Sequence, residues 1–456
     1  MRVKNAFYKF ANNRTKVINM TYRETIEYLF SLLPAYHRVG KPAYKGNLDN
    51  TLELDRYFGH PHSRFRTVHV AGTNGKGSVS HMTASVLQEA GYRTGLYTSP
   101  HLKDFRERIK IDGEMIPEEE VVRFVADHDG IISRIKPSFF ELTVALAFDY
   151  FARMKVEIAV IEVGMGGRLD STNIITPLLS VITNIGHDHM EFLGRTLGAV
   201  AVEKAGIIKE GVPVVIGETQ PETRDVFQQR AEAMHAPVTF ADNRFRCSPG
   251  RISPDSSLRR FSLSGFDGGM TLKGETPLGG LAQRKNLQTT AAAVERLSAD
   301  LGLSHEHFLR GVAGVVQNTG LMGRWQILSR SPLTVCDTGH NREGLQYVMR
   351  QVRATPKEKL HMVIGFVDDK ELGSVLPLFP HDALYYFTRA SVPRALDENL
   401  LKAEAGKYGL TGEAFRSVPL AVEAARTAAG QRDMIFIGGS TFVVADCLPD
   451  LKPPLL

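Results

Sequence analysis

The stretch HVAGTNGKGS, residues 69–78, decides the fold because it joins an apolar strand to a helix through a glycine-rich turn. Residues 67–71 predict a short strand, and residues 79–90 have the apolar spacing of a helix. Glycines let the backbone curl until its N–H groups face an anion, while the helix N-terminus adds partial positive charge. Lys76 adds a mobile cation for the outer phosphates of a nucleotide. The stretch therefore predicts a phosphate-binding loop.

The sequence of this turn differs from the standard P-loop motif. Two residues rather than four separate Gly72 from the Gly75-Lys76 pair, and Gly77 follows the lysine where Ser or Thr is usual. The alternative is an ordinary strand-to-helix turn with an incidental lysine. Three glycines, the lysine and both flanking elements in the right order favour the phosphate-binding loop.

Apolar strands alternate with helical segments along the chain, which is typical of a mostly parallel sheet covered by helices on both faces. The strands predicted before residue 240 are 67–71, 94–98, 158–161 and 178–183. Residues 197–209 and 282–297 predict helices. The glycine-rich residues 241–280 predict loops with short strands.

A second α/β pattern begins after the linker-like residues 319–324. Its predicted strands are 333–336, 361–364, 383–387 and 434–437. We therefore predict an α/β protein with two domains. A P-loop-type domain with a mostly parallel sheet covers residues 20–322, and a smaller, Rossmann-like α/β domain covers residues 323–456.

The first nineteen residues are basic, contain no acid and lack the apolar core of a secretory signal. One interpretation is an organellar leader. The other, which we favour, is a disordered or upstream-start extension, because Met20 opens a helix beginning of its own. Residues 1–19 are therefore left out of the predicted fold.

Composition excludes several classes of protein. Hydrophobic residues make up 43% and charged residues 23%, as in a globular protein rather than a fibrous or disordered chain. The 55 Lys and Arg exceed the 50 Asp and Glu by five, without a run of five like charges that would bind nucleic acid. This small excess suits an anionic small substrate.

Cysteine usage and hydropathy indicate a compartment. Cys247, Cys336 and Cys447 are too few and too widely spaced for a disulfide framework or a cysteine metal site, and they fit a reducing environment. No apolar stretch approaches the ~18 residues of a membrane helix. We expect a soluble, cytoplasmic monomer without membrane or nucleic-acid partners.

Three polar side chains follow apolar strands: Ser99, Glu162 and His189. The carboxyl edge of an open α/β sheet is where ligands bind, so these groups are expected beside the phosphate-binding loop. A hydroxyl, a carboxylate and an imidazole could hold a divalent ion that bridges nucleotide phosphates. Imidazole is a less usual ligand for Mg²⁺, so Mn²⁺ also fits. Taken singly, Glu162 could be a solvated strand end and His189 a satisfied loop histidine.

Five segments together carry a resemblance to a known family. They are HVAGTNGKGS at 69–78, YTSPHL at 97–102, EVGMGGRLD at 162–170, DH at 188–189 and EKAGI at 203–207. In order and spacing the chain resembles folylpolyglutamate synthase/dihydrofolate synthase, of the Mur ligase superfamily, from about residue 22 to 442. The shortened phosphate-binding loop is similar to the family's own. The resemblance implies an ATP-dependent amide-bond ligase with an N-terminal ATPase domain and a smaller C-terminal domain.

The resemblance also implies roles for residues around ATP. It makes Lys76, Lys204 and His340 catalytic, and Lys204 matches the lysine that the family carries as a carbamate. Ser99, Glu162 and His189 match ligands of Mg²⁺, together with modified Lys204. The residues that match ATP contacts are Thr73, Asn74, Gly75, Lys76, Gly77, Ser78, Asn286, Arg324 and Asp337.

Further matches concern the second substrate and the amino acid. The positions that face these substrates in the family match Phe139, Phe140, Glu141, Leu169, Asp170, His340 and Ser440. The implied reaction adds L-glutamate to dihydropteroate and to reduced folates through an acyl phosphate. One departure lies at residues 337–342, DTGHNR, which has Gly and Arg where the family has Ala and Pro.

Two alternatives remain open. A peptidoglycan-precursor ligase or another Mur-type amino-acid ligase is disfavoured, because the 46 residues from Met20 to Arg66 (66 − 20) are too few for a uridine-nucleotide domain. A nucleotide-switched binding module or nucleic-acid motor would need an aromatic, basic surface. The chain has one tryptophan, Trp325, beside the predicted domain junction.

Overall fold

The computed structural model describes residues 20–32, 46–187, 190–253, 256–266, 271–368 and 372–449. The predicted extension at residues 1–19 lies outside these ranges. The strands of the first sheet are β1 (Arg66–Ala71), β2 (Thr94–Tyr97), β3 (Ile109–Ile111), β4 (Glu114–Met115), β5 (Ile158–Glu162), β6 (Leu179–Ile182), β7 (Val214–Ile216) and β8 (Val238–Phe240). Their order is β4-β3-β2-β5-β1-β6-β7-β8.

Strand β1 occupies the interior of this sheet and carries the phosphate-binding loop at its end. It pairs in parallel with β5 and with β6, so that Val70 lies opposite Glu162 and Ala71 opposite Ile182. Only the β2–β3 and β3–β4 pairs are antiparallel, at one edge. The mostly parallel sheet expected from the alternation of strands and helices is confirmed.

Helices cover both faces of this sheet. They are α1 (Tyr22–Leu32), α2 (Asp49–Tyr57), α3 (Lys76–Glu89), α4 (Glu118–Ile135), α5 (Phe139–Arg153), α6 (Met190–Leu193), α7 (Leu197–Ala205), α8 (Pro221–Ala233), α9 (Ala241–Arg244), α10 (Gln283–Leu301) and α11 (His305–Thr319). Short 3₁₀ helices cover Pro61–Arg64, Phe105–Arg108 and Ser171–Ile174. Helix α3 is buried over most of its length, because α10 and α11 pack on its outer side. Among the described residues, no helix combines the length and the apolar character that crossing a bilayer requires.

The region expected to hold loops with short strands forms a separate antiparallel sheet. Its strands are β9 (Phe245–Ile252), β10 (Arg259–Gly265) and β11 (Thr271–Thr276), in the order β11-β10-β9. Phe261 and Leu263 alternate with exposed or half-buried neighbours and join the core beneath α10 and α11. The strands are longer than expected because this alternation is hidden among glycines and charges.

The second domain is built on a six-stranded sheet. Its strands are β12 (Gln326–Arg330), β13 (Leu333–Asp337), β14 (Leu360–Ile364), β15 (Leu384–Thr388), β16 (Gly412–Phe415) and β17 (Met434–Gly438), in the order β12-β13-β17-β14-β15-β16. Its helices are α12 (Arg342–Ala354), α13 (Leu372–Val375), α14 (Glu398–Gly406), α15 (Val418–Ala428) and α16 (Thr441–Cys447), with a 3₁₀ turn at Leu376–Leu378. All strands except β12 run parallel, which confirms the predicted Rossmann-like α/β class.

Three helices have boundaries that differ from the expected ones, and one of them, α10, ends at Leu301 rather than at residue 297. Helix α3 begins at Lys76 rather than at residue 79, because Gly75 caps it with φ +86° and the turn itself supplies the first helical turn. Helix α7 ends at Ala205 rather than at residue 209, with Gly206 as its cap. The predicted domain boundary at residue 323 falls in the connection between α11 and β12.

We predict that Gly311→Ala destabilises the first domain. Gly311 lies inside α11, and a Cβ added there would lie 2.6 Å from the Cα of Val86 in α3, a backbone atom that cannot move aside. Overpacking of this kind costs about 1–3 kcal/mol. Denaturant midpoints should fall for Gly311→Ala. In contrast, the control Gly130→Ala in α4, which has nothing within 4 Å, should gain about 0.5–1 kcal/mol from helix propensity.

Candidate active site

The phosphate-binding loop is held by the residues that follow β6. The hydroxyl of Thr183 donates to the carbonyl of Asn74 at 2.6 Å, and the amide of Asn74 donates to the side-chain oxygen of Asn184 at 2.8 Å. A Cβ at Gly72, where φ is +145°, would lie 1.8 Å from the Thr183 hydroxyl oxygen. The loop therefore requires glycine at this position, and its shape is fixed before any ligand binds.

Lys76 spans the loop that it follows. Its Nζ donates to the carbonyl of Gly72 at 3.0 Å and to that of Thr73 at 3.2 Å. An ammonium group tied to its own loop is placed where the outer phosphates of a nucleotide would lie. Lys76 therefore lies at the loop, as predicted, and its side chain is half-buried.

Asn286 reaches the same loop from α10. A Cβ at Gly75 would lie 2.3 Å from its side-chain oxygen, so the two residues are in close contact. Its side-chain nitrogen donates to Gln283 at 2.8 Å, and Gln283 donates in turn to the Ser78 hydroxyl at 3.3 Å. Gln283 is a site residue that sequence reasoning missed, although its position one helical turn before Asn286 could have indicated it.

Glu162 and Ser99 meet beside the loop. The amide of Ser99 donates to Oε2 of Glu162 at 3.2 Å, and Glu162 is buried. Burial raises the pKa of Glu162 to about 7, although the nearby cations Lys76 and Arg324 act in the opposite direction. A buried carboxylate beside a hydroxyl is a hard oxygen donor set, which fits Mg²⁺ or Mn²⁺. The third predicted ligand, His189, lies outside the described residues.

A cavity of about 230 Å³ separates the two domains and brings the predicted ATP contacts together. The predicted residues that line it are Thr73, Asn74, Gly75, Lys76, Gly77, Ser78, Ser99, Glu162, Asn286, Arg324, Asp337 and His340. Residues separated by more than 200 positions in sequence therefore face one volume. The cavity is large enough for part of a nucleotide and has cations on both sides.

The C-terminal wall of this cavity is ordered by Asp337. Its two carboxylate oxygens accept hydrogen bonds from the amides of Trp325 and Gly339, each at 2.8 Å. Burial raises the pKa of Asp337, and the Arg324 guanidinium opposes that shift. Arg324 donates to the hydroxyl of Thr338, another lining residue that sequence reasoning did not single out.

Direct hydrogen bonds join the two walls. Asn341 donates to the side-chain oxygen of Asn74 at 3.0 Å, across the mouth of the phosphate-binding loop. Gln351, buried on α12, donates to the carbonyl of Gly279 at 2.9 Å and accepts from the amide of Leu281 at 2.6 Å. Gln351 was missed because a single glutamine on an amphipathic helix looks like a surface residue in sequence.

Lys204 contacts the phosphate-binding loop from the opposite side. It lies on α7 with 4% of its surface exposed, and its Nζ donates to the carbonyl of Gly72 at 2.9 Å. The same carbonyl also accepts from Lys76. Lys204 does not line the cavity, so its predicted role depends on the loop rather than on direct exposure to it.

The three residues predicted to face the pterin-bearing substrate open helix α5. Phe139 is buried and stacks on Phe30 with ring centroids 4.6 Å apart. Glu141 accepts from the amide of Ser138 at 2.5 Å, which closes a capping box at the start of the helix. Phe140 is half-buried, with its ring 6.2 Å from that of Tyr97. Phe139 and Glu141 thus hold α5 in place, and their contact with substrate stays a prediction.

Asp170 and Ser440 also hold backbone. Asp170 is buried and accepts from the amides of Met165 and Thr172 at 2.9 and 3.0 Å, which fixes the glycine-rich turn after β5. Leu169, beside it, is half-buried. Ser440 caps α16 by accepting from the amide of Val443 at 3.1 Å. None of these side chains lines the described cavity, and their predicted substrate contacts stay predictions.

The fold and the cavity define a class of protein. A phosphate-binding loop at the carboxyl edge of a parallel sheet faces a second α/β domain across a cleft, as in ATP-dependent Mur-type ligases. Residues 70–294 match the Mur ligase middle domain, and residues 323–441 match the Mur ligase glutamate ligase domain. The chain is therefore an ATP-dependent ligase of this class.

Comparison with individual proteins shows to which family of these ligases the chain belongs. The chain is 34% identical over 424 residues to dihydrofolate synthase/folylpolyglutamate synthase of Bacillus subtilis, covering 90% of this chain and 95% of the relative. The chain belongs to the folylpolyglutamate synthase/dihydrofolate synthase family.

Two solved structures resemble the chain over most of its length. Escherichia coli FolC in complex with DHPP and ADP superimposes with a TM-score of 0.81 at 27% identity, covering 94% of this chain and 97% of that one. A bifunctional folylpolyglutamate synthase/dihydrofolate synthase with Mn, AMPPNP and L-glutamate bound gives 0.79 at 26% identity, covering the same shares. Because both superpositions cover 94% of the chain, they confirm the predicted fold, with its two α/β domains.

We predict that Lys76→Ala abolishes most ATP-dependent turnover without unfolding the protein. Loss of one preorganised group that stabilises transition-state charge lowers kcat by about 10²–10³-fold. Steady-state release of ADP measures this loss, and circular dichroism checks the fold. Lys402→Ala, which removes an exposed lysine paired with Glu413 in the second domain, serves as the control. A folded Lys76→Ala enzyme with normal turnover would contradict the assignment of the loop.

Proposed function

We propose that the protein uses ATP to join L-glutamate to dihydropteroate and to reduced folates. The observation that carries this proposal is the cleft, in which the phosphate-binding loop faces Arg324, Asp337 and His340. The relatives named above match nine-tenths or more of the chain, in sequence or in structure. The activities of these relatives and the ligands bound in their structures support a ligase that takes a pteridine acid and glutamate.

The proposed reaction has two steps. A substrate carboxylate attacks the γ-phosphorus of ATP and releases ADP, which gives an acyl phosphate. The amine of glutamate then attacks the acyl carbon, and the tetrahedral intermediate collapses to an amide, inorganic phosphate and a released proton. Phosphoryl transfer asks the protein mainly for positioning and charge neutralisation. The loop amides and Lys76 supply both.

Closure of the cleft protects the intermediate. An acyl phosphate is hydrolysed readily, so water must be excluded until the amine arrives. The bond between Asn341 and Asn74 and the bonds made by Gln351 draw the second domain onto the first. His340, whose Nδ1 lies 3.0 Å from the carbonyl of Thr338, is oriented within the lining of the cavity. We assign His340 the role of stabilising the charge that develops during amide formation.

A divalent ion fits the proposed site. Ser99 and Glu162 offer oxygen donors beside the loop, and His189 is the third ligand implied by the family resemblance. A bound Mg²⁺ or Mn²⁺ would supply neutralisation of phosphate charge. Cationic side chains on both walls, Lys76 and Arg324, add to that neutralisation from the protein itself.

We infer that Lys204 works as a carbamate. Its neutral amine would add to CO₂ and lose a proton, giving a carbamate with one remaining N–H and a negative charge. That N–H can keep the bond to the carbonyl of Gly72, while the two new oxygens replace a cation that contacts the phosphate-binding loop.

We further propose that the enzyme works in the cytoplasm, as a monomer, without a nucleic-acid partner. Three free cysteines, two of them buried, are consistent with a reducing compartment. The cleft is also lined by the predicted ATP contacts of both domains of one chain, which supports a site built without a second copy.

Product analysis tests the proposed substrates. Purified protein with ATP, Mg²⁺ and L-glutamate should convert dihydropteroate to its monoglutamate, and tetrahydrofolate to a product one or more glutamates longer, by mass spectrometry. The result separates a bifunctional enzyme from one with a single activity. Ligation of a uridine-nucleotide peptide, with neither pteridine product formed, would overturn the proposal in favour of another Mur-type ligase.

The carbamate role predicts chemical rescue. Lys204→Ala should lower turnover by about 10–100-fold, the range for losing an outer-shell partner of a metal site. Formate or acetate should restore part of that activity, because a small carboxylate can occupy the space of the carbamate. Lys209→Ala, which loses only a 2.8 Å bond to the carbonyl of Asn173, should show neither effect. Full activity of Lys204→Ala would exclude the role.

A further inference from the structure

A second group of metal-binding side chains lies outside the cleft, where α2 leads into the 3₁₀ helix before β1. Asp55 is near the end of α2, and His60 and His62 flank the first residue of that 3₁₀ helix. Nδ1 of His60 donates to one oxygen of the Asp55 carboxylate at 2.6 Å, and Nδ1 of His62 donates to the other at 2.6 Å. One ligand atom from each of the three side chains lies within 4.8 Å of the others.

We propose that Asp55, His60 and His62 bind a divalent ion of the Zn²⁺ type. Two imidazoles and one carboxylate are a usual ligand set for Zn²⁺ and Co²⁺. Ligands 2.0–2.1 Å from a tetrahedral ion stand about 3.3 Å apart, so the nitrogen–oxygen pairs need to open by less than about 1 Å. When the ion binds, each neutral imidazole carries its proton on Nε2 instead of Nδ1 and offers the Nδ1 lone pair to the ion, and a water completes the shell.

Burial and backbone arrange the three groups for an ion that enters from solvent. The Asp55 side chain is 5% exposed, whereas those of His60 and His62 are 58% and 22% exposed. The carboxylate is therefore buried, and the two imidazoles are accessible to an ion from solvent. His60 has φ +55° and ψ +57°, a conformation uncommon outside glycine, and its amide is held by the carbonyl of Asp55 at 2.9 Å. This turn brings both imidazoles to one carboxylate.

The charges around the cluster influence its affinity for a metal ion. Arg64 donates to the carbonyl of Gly59 at 3.1 Å, so a guanidinium lies at the edge of the same turn. A nearby cation opposes binding of a second one and lowers the affinity of the cluster for a metal ion. The bound ion would tie the end of α2 to the turn before β1. At its other end, α2 contacts the start of α5 through Asn50, which donates to Glu141 at 3.2 Å.

Cobalt spectroscopy of the full-length protein tests this proposal. Co²⁺ is titrated into protein saturated with Mg²⁺ and ADP, so that the metal site of the cleft is occupied and silent. One equivalent should give the intense visible bands of four-coordinate Co²⁺, and Zn²⁺ should displace it. The matched variant carries His60→Gln and His62→Gln, since glutamine can still donate to Asp55 but coordinates poorly.

The affinity of the double variant for Co²⁺ should fall by more than about 10–100-fold, the loss that follows removal of an outer-shell partner alone. The control His305→Gln, at an exposed position that begins α11, should bind like wild type. Wild-type protein without the visible bands, or equal affinities in wild type and variant, would overturn the site. If the double variant fails to fold, His60→Gln alone, at the most exposed ligand, makes the same comparison. Because binding rather than turnover is measured, failure here leaves the proposed ligase activity untouched.

Discussion

The structure depends on the close approach of the Gly72 backbone to the side chain of Thr183. The loop after β1 packs against Thr183, whose hydroxyl oxygen stands where any Cβ at Gly72 would lie. This contact joins the ends of two neighbouring parallel strands and sets the curl of the phosphate-binding loop. Two lysines from different helices, Lys76 and Lys204, then meet at the carbonyl of the same glycine. The positions of both lysine side chains relative to the loop follow from that single approach.

The second domain completes what the loop begins. Arg324 lies just before β12 and Asp337 ends β13, and each is held by hydrogen bonds to its own neighbours. The cleft therefore has a rigid wall on each side, joined by a few polar bonds such as the one from Asn341 to Asn74. Such an interface can open and close without losing either core. A reaction that must admit two substrates and then exclude water benefits from this arrangement.

Several polar residues near the site have a structural task that is visible without ligand. Glu141 and Ser440 cap helices, and Asp170 binds the turn that follows β5. Their sequence motifs match substrate positions of the family, yet their side-chain atoms are already engaged by backbone. Position in a motif therefore does not separate a residue that touches substrate from one that shapes the loop beside it. Buried hydrogen bonds of this kind are costly to break.

The sequence alone determined the α/β class, the phosphate-binding loop, the family and the predicted ATP contacts that line the cleft. Those signals are local: a glycine pattern between a strand and a helix, and polar groups at strand ends. The tertiary structure decided what depends on distant neighbours. Gln283, Thr338 and Gln351 joined the cleft because folding brings α10 against α3 and the second domain against both. Likewise, Asp55 meets two histidines because a left-handed residue turns the chain back on itself, a geometry that no periodicity encodes.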